Sequence, residues 1–130
     1  MAALYSKILL DHFRYPRNYG SLDSPDISNE QFNPLCGDRL RLELKLVESR
    51  VNEARFKGDA CAICTAAASL LTELVLGQDR EQLANIPDSQ LISALESDIQ
   101  PARVQCALLP LVALREGLKE YESLHYNPRT

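Results

Sequence analysis

The chain has 130 residues, of which 45% are hydrophobic and 25% charged, and a formal net charge of −4. That length suits one domain able to bury a proper core, and the acidic balance excludes the basic footprint of a nucleic-acid binder. No apolar run approaches the roughly 20 residues of a membrane span, and no charged segment leads into a long apolar one near the start, so a reducing cytoplasm is the expected location.

From Leu4 to Phe13 the apolar residues Leu4, Ile8, Leu9 and Phe13 keep helical spacing, and Pro16 stops the pattern. Tyr15 to Pro34 holds three prolines, Gly20 and several Asn, Asp and Ser residues. It reads as loop, with an edge strand near Ile27–Phe32. Arg39 to Val47 is the clearest strand: Leu40, Leu42, Leu44 and Leu46 alternate with Arg39, Arg41, Glu43 and Lys45. A turn near Glu48–Arg50 leads to a second strand, Val51 to Lys57, and Gly58-Asp59-Ala60 breaks it. Ile63 to Leu76 is strongly helix-forming and ends at Gly77. Two short helices follow, with Asp79 and Asp88 as their caps. A last helix spans Leu108 to about Leu124, with a stripe of Leu111, Val112, Leu114, Leu118 and Tyr121. This order predicts an α+β domain with helices packed on one face of an antiparallel sheet.

The four cysteines fall at joints between these elements. Cys36 lies in Pro34-Leu35-Cys36-Gly37-Asp38-Arg39, where Gly37 permits a tight backbone that aims Cys36 and Asp38 at one point. Cys61-Ala62-Ile63-Cys64 sits where a strand meets a helix. The free N–H groups of a helix start stabilise thiolate, with Cys61 in the cap region and Cys64 in the first turn. Cys64 also fits a packed position beside Ala66–Ala68. Cys106 is followed four residues later by Pro110, which has no N–H, so the last helix either starts late or kinks at Cys106. In a reducing compartment such thiols point to metal or redox chemistry. Three or four thiolates and one carboxylate suit zinc or an iron–sulfur centre. A thiol–disulfide oxidoreductase using Cys61 and Cys64 is the alternative from another class. It is disfavoured because a hairpin, not a βαβ unit, precedes the motif.

Five ordered strings resemble one known family. They are Asp11-His12-Phe13-Arg14-Tyr15-Pro16-Arg17-Asn18-Tyr19-Gly20, Cys36-Gly37-Asp38, Ala54-Arg55-Phe56-Lys57-Gly58, Cys61 opening an Ala/Ser-rich helix, and Pro101-Ala102-Arg103-Val104-Gln105-Cys106. Their order and spacing are similar to the IscU/SufU/NifU N-terminal type of iron–sulfur cluster assembly scaffold, from about Tyr5 to Tyr121. The resemblance implies a three-stranded antiparallel sheet with a cluster of helices and a shallow metal site. The implied ligands are Cys36, Asp38, Cys61 and Cys106, with Cys64 as an extra thiol at a position usually held by a small residue. It further implies that Cys36, Cys61 and Cys106 are candidate acceptors of persulfide sulfur from a cysteine desulfurase. The site would bind iron and hold a transient 2Fe–2S cluster for apo iron–sulfur recipient proteins, as a carrier and not a catalyst of turnover. The zinc form of the family, a sulfur acceptor for a desulfurase, uses the same cysteines and aspartate. A monomer or a cluster-bridged oligomer is consistent with either.

Besides Cys64, the chain departs from the family at two other motif positions. Gln105 stands where IscU members have His and SufU members tend to have Lys, and neutral Gln neither titrates nor ligates well. Ile99-Gln100-Pro101-Ala102-Arg103 replaces the Leu-Pro-Pro-Val-Lys motif, which argues against an Hsp70-type chaperone as a partner. His12 is expected to be packed or at the surface, and His125 to have no role. Arg39, Lys57 and Arg103 are expected on solvated faces, with offsetting thiolate charge as their functional alternative.

Overall fold

The computed structural model describes residues 5–125. Its elements run α1 (Lys7–Arg14), β1 (Ile27–Asn33), β2 (Asp38–Val47), β3 (Arg50–Asp59), α2 (Ala62–Leu74), α3 (Arg80–Ala84), α4 (Asp88–Ala94), a 3-10 turn (Pro101–Arg103) and α5 (Val104–Leu124). The strands form one antiparallel sheet in the order β1-β2-β3. The leucines of β2 explain the layering. Leu40, Leu42 and Leu44 are fully buried, and α5 packs on β1 and β2 while α2 packs on β3 and carries α1. β2 and β3 therefore present an apolar face to the helical layer, as the alternation requires, whereas the residues of β1 paired with those leucines are Ile27, Asn29 and Gln31.

Neither the free edge of β3 nor the opposite face of the sheet is bare. Asn18 and Gly20 pair with Phe56 of β3, the Gly20 N–H donating at 2.8 Å and the Asn18 carbonyl accepting at 3.0 Å. The Leu22 N–H donates to Glu43 Oε1 at 2.8 Å. This crossing segment is why Glu43, on the polar side of β2, is nonetheless buried.

Several boundaries differ from the sequence expectation. β3 continues through Gly58 to Asp59 instead of breaking. Gly58 pairs with Leu40, and a Cβ there would lie 2.0 Å from the Arg39 carbonyl oxygen. Glycine is what lets the two backbones stay paired. The residue expected to cap α4, Asp88, is its first helical residue, because extended Pro87 takes the N-cap place. The Asp88 carboxylate instead meets Arg115 of α5 at 2.7 Å. Asp79 caps α3 as expected, in a capping box with Gln82 in which both bonds are 2.9 Å. α5 starts at Val104 and not at Leu108, and it runs on through Pro110. The 3-10 turn feeds directly into it. One missing N–H donor is outweighed by the burial of Cys106, Ala107, Leu111, Ala113, Leu114 and Leu118 along its length. α1 begins with Ser6 as its cap, and Leu4, the expected start, lies outside the described residues. No helix among the described residues is long and apolar enough to cross a membrane.

His12 is packed between α1 and α2. Its Nδ1 lies 2.7 Å from Ser69 Oγ, and that oxygen also accepts the Arg17 N–H at 2.8 Å. Assigning the network this way leaves the Ser69 hydroxyl to donate to His12 Nδ1 and turns Nε2 toward Glu73, 3.6 Å away. Burial, aided by Arg17 and opposed by Glu73 and Asp11, lowers the His12 pKa from its ordinary 6.5. The unfolded chain therefore takes up a proton first as pH falls. Stability is complete above the ordinary value and is lost on the way down toward the folded value. Urea unfolding from roughly pH 7.5 to pH 5 is expected to show that loss, and His12→Gln to flatten it. An unchanged slope in the variant would contradict this role.

Candidate metal centre

Three backbone arrangements bring distant donors together. The β1–β2 turn is held by the Asn33 carbonyl accepting the Gly37 N–H at 2.8 Å and by Asn33 Oδ1 accepting the Leu35 N–H at 3.0 Å. Gly37 has φ +77°, a left-handed turn conformation open to glycine. The turn leaves Cys36 exposed at its tip.

Asp38 is the first residue of β2 and has the same parity as Leu40, Leu42 and Leu44. It therefore points into the helical layer and is only 3% exposed. Its Oδ1 accepts the Cys61 N–H at 2.9 Å, which ties the start of α2 to the start of β2. Its Oδ2 is buried with no hydrogen-bond partner among the described residues. A buried polar oxygen left so costs about 1–3 kcal/mol unless something pairs with it.

Cys61 is the N-cap of α2, its Sγ accepting the Cys64 N–H at 3.5 Å. Cys106 lies in the first turn of α5, is 2% exposed, and donates its S–H to Cys36 Sγ at 3.3 Å. One donor atom each from Cys36, Asp38 and Cys106 lie within 4.8 Å of one another. Cys61 stands outside that tight trio but lines the same cleft as Cys36 and Cys106, about 520 Å³ in volume, with Arg103 and Gln105 at its wall.

The donors fit a thiophilic metal. Two converging sulfurs, a third thiol on the same cleft and an anionic oxygen held without a partner make up the donor types of a four-coordinate site for zinc or iron. Burial, followed by the bond to Cys36 and the neighbouring anionic groups, pushes the Cys106 thiol up to about 12. Metal uptake there must displace its proton. Cys61 and then Cys106, in their ionised forms, raise the pKa of the exposed Arg103 guanidinium, which is a counter-charge for those sulfurs once they have lost their protons.

The other residues singled out from the sequence lie elsewhere. Cys64 is fully buried in the core beside Ala66 and Ala67, and burial pushes its thiol far up. Its sulfur is not among the converging donors, and it packs as a small apolar core residue. Arg39 lies over the Phe32 ring at 5.5 Å. Lys57 faces away from the helices, opposite Arg41. His12 meets α2 at Ser69, about two helical turns beyond Cys61. His125 caps the far end of α5 and stacks on Tyr121 with ring centroids 4.0 Å apart. The burial of Asp38 was not foreseen, although the β2 alternation, extended back two residues from Leu40, indicates it.

Comparison with known proteins gives a consistent picture. Residues 4–127 match the family model of the NifU-like N terminal domain. The zinc-dependent sulfurtransferase SufU of Bacillus subtilis (strain 168) is 35% identical over 136 residues, covering 92% of each chain. The iron–sulfur cluster assembly scaffold protein IscU of Haemophilus influenzae is 36% identical over 124 residues, covering 92% of this chain and 96% of its own. Among solved structures, a nitrogen-fixing NifU-like protein (N-terminal) from Brucella abortus shares the fold with a TM-score of 0.77 at 21% identity, over 92% of this chain and 95% of that one.

Proposed function

The chain belongs to the NifU-like N-terminal domain family, and from that premise we propose that it is a scaffold on which iron–sulfur clusters are assembled and from which they are transferred. The observation that carries the reading is the buried Asp38 carboxylate, which has an oxygen within 4.8 Å of the Cys36 and Cys106 sulfurs and whose Oδ2 has no hydrogen-bond partner among the described residues. A buried carboxylate oxygen left without a partner, at an energetic cost, is explained by a cation that arrives later. Cys36, Asp38, Cys61 and Cys106 are the proposed ligands. Their cargo would be iron and a transient 2Fe–2S cluster, which needs two protein ligands on each iron. The oxygen donor is harder than the thiolates and holds iron less firmly, which suits a site that must release its cargo. Sulfur is proposed to arrive as persulfide from a cysteine desulfurase. Exposed Cys36 is the most accessible of the three thiols at the cleft. Arg103 offsets the negative charge as thiols ionise. Apo iron–sulfur proteins would receive the product.

A second reading is supported by the 35% identity with a zinc-dependent sulfurtransferase and by the four donors, which would satisfy tetrahedral zinc without further ligands. In it Cys36, Asp38, Cys61 and Cys106 hold zinc, which keeps their sulfurs ionised, and the protein accepts desulfurase sulfur enzymatically. Anaerobic reconstitution with ferrous iron, sulfide and dithiothreitol separates the two. The scaffold is expected to develop visible cluster absorption and to pass the chromophore to an apo-ferredoxin. A colourless protein that retains stoichiometric zinc through anaerobic purification would favour the second reading and defeat the first.

A further inference from the structure

Cys36 and Cys106 are 70 positions apart in the chain, yet their sulfurs are 3.3 Å apart with the Cys106 S–H aimed at Cys36 Sγ. One is exposed and the other is buried behind it. A donor too large to enter the cleft reaches Cys36 first, and Cys106 waits at a separation already within the roughly 3–3.5 Å of a near-attack arrangement. We propose that this pair is a sulfide-releasing dithiol: sulfane sulfur delivered to Cys36 is expelled by Cys106 as hydrosulfide. The inference deepens the sulfur-acceptor role above and rests on it.

The step balances without an outside oxidant. Cys36 carries the delivered atom as Cys36–S–S⁻. As Cys106 Sγ attacks the inner sulfur, Cys36 Sγ, its proton passes to the outer sulfur in the same step. A Cys36–Cys106 disulfide forms, the bond to the outer sulfur breaks, and that sulfur leaves as HS⁻. The sulfane sulfur is reduced by two electrons, and the two thiol sulfurs are together oxidised by two. An external dithiol then restores the pair by thiol–disulfide exchange. Arg103 lines the same cleft as Cys36, Cys61 and Cys106, where its charge favours the departing anion. Cys61 is excluded from the close trio and Cys64 is buried in the core, so Cys106 is the thiol placed to resolve the adduct. Because the same sulfur is a proposed metal ligand, the release belongs to the metal-free protein.

The test uses reduced, metal-free protein, freed of reductant and treated with glutathione persulfide. Sulfide is measured colorimetrically against a donor blank, with intact mass and non-reducing peptide maps alongside. The wild type is expected to release sulfide in an amount close to that of the protein, to become two hydrogens lighter and to show a Cys36–Cys106 crosslink. In Cys106→Ser, and in Cys106→Ala as a second variant, sulfide should fall by about tenfold or more while Cys36 retains one extra sulfur. Undiminished sulfide in both variants, or a wild type that keeps the adduct, would overturn the proposal. Release that depends on Cys61 and not on Cys106 would do the same. If Cys36 gains no sulfur even in the Cys106 variants, the sulfur-acceptor reading itself falls.

Discussion

Gly58→Ala is expected to cost at least about 3 kcal/mol of stability and to lower Tm by about 10 °C or more. The added Cβ would lie 2.0 Å from the Arg39 carbonyl oxygen, 2.9 Å from its carbon and 3.0 Å from Leu40 Cα. All three are backbone atoms of the central strand and cannot rotate aside. The clash can be relieved only by parting β3 from β2 where Leu40 pairs with Gly58 and Arg39 with Asp59. That end of the sheet aims Asp38 into the helical layer, so metal affinity should fall with stability. Gly77→Ala is the matched comparison. Gly77 has φ +80°, but a Cβ added there would meet nothing within 4 Å, so only the backbone penalty of about 1–2 kcal/mol applies. Calorimetry on both variants decides: equal losses would mean that crowding against Arg39 is not the cause.

Asp38→Asn is expected to separate the two jobs of that side chain. The amide keeps an oxygen in place to accept the Cys61 N–H, now at 2.9 Å, and so preserves the tie between β2 and α2. It removes the anionic oxygen that has no partner and puts a non-ligating NH₂ in its place. Metal-free protein should stay within about 1 kcal/mol of wild-type stability, because the amide NH₂ is as unpartnered as the oxygen it replaces and the bond to Cys61 is kept. Zinc affinity should fall by about a hundredfold or more, since loss of groups that merely orient ligands already costs 10–100-fold. Chelator competition gives the affinity and urea unfolding of the metal-free protein gives the stability. Wild-type affinity together with lost stability would make Asp38 a structural anchor alone.

Local chemistry made much of this architecture legible before any coordinates. The alternation of Leu40, Leu42 and Leu44 identifies the central strand and its buried face, the Asp79–Gln82 pair gives α3 its start, and a thiol before an Ala-rich run marks Cys61 as the α2 cap. The errors arose where tertiary packing overrides a local rule. Pro110 argues for a late helix, but the buried stripe of α5 carries the helix back to Val104. Gly58 reads as a breaker, but close pairing with β2 makes it a strand residue. Asp88 resembles a cap, but Arg115 supplies a better partner for its carboxylate. At the site, the types of donor were readable from spacing and from the family strings. The contact between Cys36 and Cys106, and the buried position of Asp38 that leaves one oxygen free, depend on how the β1–β2 turn meets the first turn of α5. No local pattern encodes that meeting.

X-ray absorption at the zinc edge, on protein titrated with one equivalent of zinc, examines the proposed ligand set most directly. The expected first shell is three sulfurs near 2.3 Å and one oxygen near 2.0 Å, with the oxygen lost in Asp38→Asn and one sulfur lost in Cys61→Ser. A shell of four sulfurs, which would bring Cys64 out of the core, or a shell unaltered by Asp38→Asn, would contradict a site made by Cys36, Asp38, Cys61 and Cys106.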